Sequence, residues 1–145
     1  MFQDFLRRLT APAPAPMNEI DSCLALGALL VRVARTDGDY AQVEIQQIDQ
    51  ALMTRYSLSA SEAASLRAEC EELEAQAPDT VRFTRAIKEA VSYENRLSVI
   101  EALWSVVMAD GVRDDEEDSM MRMTASLLGV SDQDSHSARI KVSAK

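Results

Sequence analysis

The sequence predicts an all-α fold of about seven helices, and three observations carry the prediction. Only four Gly and four Pro occur in 145 residues, too few turn formers for a sheet of many short strands. No stretch alternates polar and apolar residues for long enough to make a half-buried strand. Apolar residues instead recur at helical spacing, in segments separated by capping residues.

The segments follow in order. Phe2, Phe5, Leu6 and Leu9 form a short stripe at helical spacing, and the alternating Ala and Pro of residues 11–16 make an extended strut, so residues 1–17 read as a short helix and linker ahead of a helical domain over 18–145. Asn18 caps a helix to about Arg35, and a second runs from Ala41 to about Tyr56 with Ile45, Ile48 and Leu52 on one face. Ser59 and Glu62 have the spacing of a capping box, opening an Ala-, Leu- and Glu-rich, solvent-facing helix to about Ala75 that Pro78 ends. Asp79 caps a helix to Val91, Ser92 caps the one holding the apolar stretch Leu97 to Met108, and Asp114 caps one reaching Leu128, with Gly129 as terminator. A short helical turn follows Ser131.

The length is enough for one domain with a self-sufficient core. A formal charge of −9 disfavours phosphate backbones and anionic lipid surfaces, which excludes nucleic acid as the expected partner. The longest apolar run, Cys23 to Val31, falls far short of the ~20 residues of a membrane span. Cys23 and Cys70 read as reduced, buried small hydrophobes, which together with the absence of a leader pattern points to the cytoplasm.

The most informative feature is internal. A shift of 73 residues lays Asp37-Gly38 on Asp110-Gly111 and Glu44 on Glu117. An apolar helix precedes each Asp-Gly and an amphipathic helix follows, so the chain reads as two pseudo-repeated helical hairpins. These residues resemble the tellurite-resistance TerB-like family, whose paired hairpins carry Ala-Asp-Gly and a following Glu; here they are Thr36-Asp37-Gly38 with Glu44 and Ala109-Asp110-Gly111 with Glu117. The resemblance runs from about Ile20 to Ser131. It implies an all-helical bacterial stress-response or resistance module in which the acidic turns form a metal site. The first copy departs from the second in having Thr36 for Ala109 and Ala41 for Asp114.

Geometry also argues for a metal. An aspartate ending one helix and a glutamate in the first turn of the next converge across a short turn, and two such pairs can gather four mutually repelling carboxylates. A divalent cation relieves that repulsion, and an all-oxygen set favours Ca²⁺, Mg²⁺ or Mn²⁺. The candidate ligands are Asp37, Asp39, Glu44, Asp110, Asp114 and Glu117, with Asp115 as a supplement. The site is no EF-hand: five and three residues before Gly38 stand Val33 and Arg35, and before Gly111 stand Val106 and Met108. Zinc is poorly served, with His136 the one histidine in the chain. A purely structural reading stands beside the metal one. Gly38 and Gly111 would end helices in the left-handed region, and Glu44 and Glu117 would sit at the third helical position, where a carboxylate contributes ~0.3–1 kcal/mol against the exposed N–H groups and dipole.

Other features carry less. Met108, Met120, Met121 and Met123 read as core filler or an adaptable partner surface, and Trp104 as core. Arg82, Arg85 and Lys88 line one side of a helix, either as a solvated face or to meet an acidic partner. No phosphate loop or nucleophile elbow occurs. The expectation is therefore a non-enzymatic module that binds a divalent cation. A protein-interaction scaffold whose acids only cap helices is the alternative, and a carboxylate-dependent hydrolase comes third.

Overall fold

The computed structural model describes residues 19–36, 40, 42–76, 80–109 and 115–143, with side chains described from residue 22 in the first segment and from 118 in the last. Among these residues there are seven helices and no strand: α1 (Glu19–Ala34), α2 (Gln42–Tyr56), α3 (Ala60–Gln76), α4 (Thr80–Ala90), α5 (Tyr93–Val107), α6 (Asp115–Leu127) and α7 (Asp132–Ser143). The N-terminal stripe and Ala/Pro strut lie outside the described residues. None of the helices is long and apolar enough to cross a membrane.

Helix α1 is the axis of the fold because its sequence has no polar face between Leu24 and Val31. The consecutive residues Ala28 to Val31 are all wholly buried, which requires neighbours on every side. Those neighbours are α2, α3, α4, α5 and α6, with α3 and α4 covering the most. The second apolar helix, α5, packs against α1 and buries Val99, Ile100, Leu103, Val106 and Val107. The two helices leading into the Asp-Gly turns are thus neighbours in the core.

Local signals set the ends. The Ser59 backbone N–H donates to Glu62 Oε1 at 2.9 Å and the Glu62 N–H to Ser59 Oγ at 3.2 Å, the reciprocal pair of a capping box. The Ser59 backbone N–H first, and then the Ser59 hydroxyl, hold the exposed Glu62 carboxyl below its usual range. Gly129 has φ +75°, with Gly129 N–H bonded to Ser126 O at 3.0 Å and Val130 N–H to Ala125 O at 2.8 Å. That left-handed residue and its two bonds close α6 as the glycine predicts. Helix α2 ends the same way on a residue with a side chain: Ser57 has φ +56°, and Leu58 N–H reaches Met53 O at 3.1 Å.

Four expectations need correction. Ser92 occupies the N-cap of α5 in an extended conformation, but its side chain makes no capping bond. Helix α3 is no free surface helix. Ala63, Leu66, Cys70 and Leu73 form a narrow stripe against the core, and the face escaped notice because two of its members are small. The turn after Ser131 extends into the full helix α7. Ser131 Oγ caps it by accepting from Asp134 N–H at 3.1 Å, and it packs on α5 through Ser135, Ala138 and Val142, a stripe too polar to register in sequence. Arg82 and Arg85 are half-buried, so the basic stripe on α4 is not simply a solvated face. The methionines divide, Met121 being wholly buried and Met123 exposed.

Candidate metal centre

The helices that lead into the two Asp-Gly turns end alike. In α1, Arg35 N–H bonds Val31 O at 3.0 Å and Thr36 N–H tightens onto Val33 O at 3.2 Å; in α5, Met108 N–H bonds Trp104 O at 2.9 Å and Ala109 N–H tightens onto Val106 O at 3.2 Å. The turns that follow, with Asp37, Asp39, Asp110 and Asp114, lie outside the described residues, as does the side chain of Glu117. Gly38 and Gly111 lie outside them too. Among the described residues no group of three or more His, Cys, Asp or Glu side chains could hold a metal ion.

Glu44 is the candidate ligand whose side chain is described. It stands third in α2, where the Asp-Gly spacing puts it, and it is wholly buried. A carboxylate serving only to soften a helix start gains by staying in water, so complete burial is more than capping requires.

Both flanks of the first turn are tied to α3. On the upstream side, Arg35 Nη1 donates to Glu74 Oε1 at 2.8 Å, and Arg32 Nε donates to the other oxygen of the same carboxylate at 3.1 Å. Arg32 also reaches the Glu74 backbone carbonyl at 3.1 Å and packs over the Phe83 ring. Downstream, the Tyr40 hydroxyl donates to Glu71 Oε2 at 2.7 Å, while the Arg35 guanidinium lies over the Tyr40 ring, 4.9 Å from its centre. Glu71 Oε2 also accepts from Arg67 Nη1 at 3.1 Å, and Arg67 Nε donates to Asp49 of α2 at 2.6 Å. Burial, then the bond to Glu71, pushes the Tyr40 hydroxyl above the ordinary tyrosine range. The acids at this end of α3 therefore have their own cations and hold the ends of the turn. Sequence reasoning missed this anchor, since nothing in a single sequence pairs Arg32 and Arg35 with a glutamate about forty positions on.

Among the described residues, the cysteines and the histidine join no group of three or more potential ligands. Both cysteines are free, and burial raises both thiols. Cys70 Sγ points at the Leu24 carbonyl, 3.8 Å away. Cys23 borders a cleft of about 670 Å³ with Arg55, Tyr56, Leu58 and Val91. His136 Nδ1 lies 3.0 Å from Arg139 Nη2, beside a cleft shared with Trp104 and Asp118. Trp104 is core as expected, and its indole N–H donates to Ser135 Oγ at 3.1 Å.

Comparison with known families adds the remaining fact. The model of the family described as Tellurite resistance protein TerB matches residues 23–140, from the first buried helix almost to the end of α7. Searches of curated proteins and of solved structures give no significant match. With that match over most of its length, laid on an all-helical bundle, the chain belongs to the TerB family.

Proposed function

We propose that this TerB-family module is a non-enzymatic, intracellular binder or sensor of a divalent cation, in a bacterial stress or tellurite response of the kind its family is named for. The observation that carries the reading is the complete burial of Glu44 in the first turn after Asp37-Gly38. A carboxylate withdrawn from water needs hydrogen bonds or a cation to compensate it, and a hard divalent ion suits an all-oxygen set. Asp37, Asp39 and Glu44 from the first turn and Asp110, Asp114 and Glu117 from the second would supply the oxygens. The matching ends of α1 and α5, and their contact in the core, support a shared arrangement of the two turns. Bound cation would join helices that follow one another in sequence, and a partner would read the joined turns. The anchor from Arg32, Arg35 and Tyr40 to α3 keeps the first turn's ends in place without using its acids.

Calorimetric titration of the full chain with Ca²⁺, Mg²⁺ and Mn²⁺ tests this. Saturable binding of at least one ion is expected, reduced at least tenfold in Glu44→Gln and in Glu117→Gln. An absence of heat with all three ions would leave the acids as helix caps.

A further inference from the structure

A second site lies on the opposite electrostatic footing. Arg85 and Lys88 of α4, one helical turn apart, border a cleft of about 490 Å³ together with Val81, Thr84, Glu89 and Leu127. Two donors of Arg85, Nε and Nη2, are shut off from water and have no acceptor among the described residues. Buried polar groups in folded proteins nearly always have partners, and charged donors are the costliest to leave without one. Nε–H and Nη2–H lie along one edge of the guanidinium and point the same way. That edge matches two oxygens of a carboxylate or phosphate.

The surroundings favour an anion. Lys88 adds a second cation, and both it and Arg96 approach Gly129 at the C-terminal end of α6. Arg96 is committed there, donating to the Leu128 carbonyl at 2.7 Å, which leaves Arg85 and Lys88 as the cations at the cleft. Thr84 is committed as well, its hydroxyl donating to the Val81 carbonyl at 2.9 Å. Val81 is 52 % exposed, an apolar side chain left in water beside a cationic pair, and Leu127 faces the same cleft. In a protein of net charge −9 this arrangement is local and built, not a general basic surface.

We propose that this cleft binds a small organic anion. Its carboxylate or phosphate group meets Arg85 and Lys88 at the cleft, the Arg85 side chain turning outward to offer the two donors that no protein acceptor holds, and a short apolar portion lies against Val81 and Leu127. The volume falls within the range of small-molecule sites. Glu89 at the rim disfavours ligands carrying several negative charges.

Nitrogen-15 NMR of the full chain, watching the Arg85 Nε–H and the backbone of residues 81–89 and 127–129, tests the proposal with inorganic phosphate, hexanoate and sodium chloride at matched ionic strength. Saturable shifts at these positions are expected with phosphate or hexanoate and not with chloride. Tighter hexanoate binding identifies a carboxylate with an apolar tail, and tighter phosphate binding a phosphoryl group. Arg85→Gln should weaken binding at least tenfold. Lys88→Gln, at an exposed position that leaves folding intact, should weaken it several-fold. Shifts that are absent, that match the chloride control, or that persist unchanged in Lys88→Gln and Arg85→Gln overturn it.

Discussion

Gly27 of α1 lies directly against the Cys70 sulfur of α3, so close that a Cβ at position 27 would overlap that sulfur and press on Cys70 Cβ. The pairing of α1 with α3 therefore depends on an absent side chain facing a small one. Gly27→Ala should destabilise, because overpacking of about 1–3 kcal/mol outweighs the helix-propensity gain. Adding Cys70→Ala should restore much of the loss. Chemical denaturation of both singles and the double measures this, and simple additivity would show that the contact carries no strain.

Ser57 and Gly129 are the two described residues with left-handed φ, and they should respond oppositely to substitution. Ser57→Gly should be neutral to stabilising, by up to about 1 kcal/mol, since a side chain at φ +56° is strained. Gly129→Ala should cost about 1 kcal/mol or more, because its Cβ would also crowd the Arg96 guanidinium that caps Leu128. Thermal melts of the two variants give the comparison.

Tyr40, Tyr56 and Tyr93 account for all three tyrosines, and each ionises above the usual range. Burial is the first cause for Tyr40 and Tyr56, and the bond to Asp134 for Tyr93. A folded pKa above the unfolded value gives stability that is complete below about pH 10 and is lost as pH rises through the folded value. Little tyrosinate absorbance should therefore appear at pH 10 while the protein stays folded. Half-ionisation in the native state at that pH would contradict these environments.

Glu74 holds both Arg32 and Arg35, and its side chain is 14 % exposed. Breaking a fully buried pair costs about 3–5 kcal/mol, and the partial exposure here reduces that to about 2 kcal/mol for Glu74→Gln. Because Glu74 anchors the first turn without being a candidate ligand, the same variant should weaken any cation binding a few-fold. Unfolding in urea and calorimetric titration read the two effects separately.

The parts of this structure legible in sequence are those set by local chemistry. The Ser59–Glu62 box, the Gly129 terminator and the two apolar helices follow from caps and periodicity within a few residues. The full length of helix α7 is not legible in sequence because Ser135 and Ala138 are buried by what α5 offers them, the Trp104 indole in particular. The buried stripe of helix α3 is hidden for the same reason, its small residues gaining meaning through Gly27. At the candidate centre, spacing gave the helical register of Glu44, whereas its burial and the anchoring of Arg32, Arg35 and Tyr40 depend on contacts between distant segments.

The central claim, that the Asp-Gly turns and their glutamates hold a divalent cation, is tested most directly by the thermal midpoint of the full chain in Ca²⁺, Mg²⁺ or Mn²⁺ against an ionic-strength control. A ligand that binds the folded state alone must raise that midpoint, by about 2.7 kcal/mol of added stability at a hundred times its dissociation constant. The account predicts a rise with at least one of these ions that disappears in the Asp37→Asn, Glu117→Gln double variant. A midpoint that follows only ionic strength, in parent and variant alike, would contradict it.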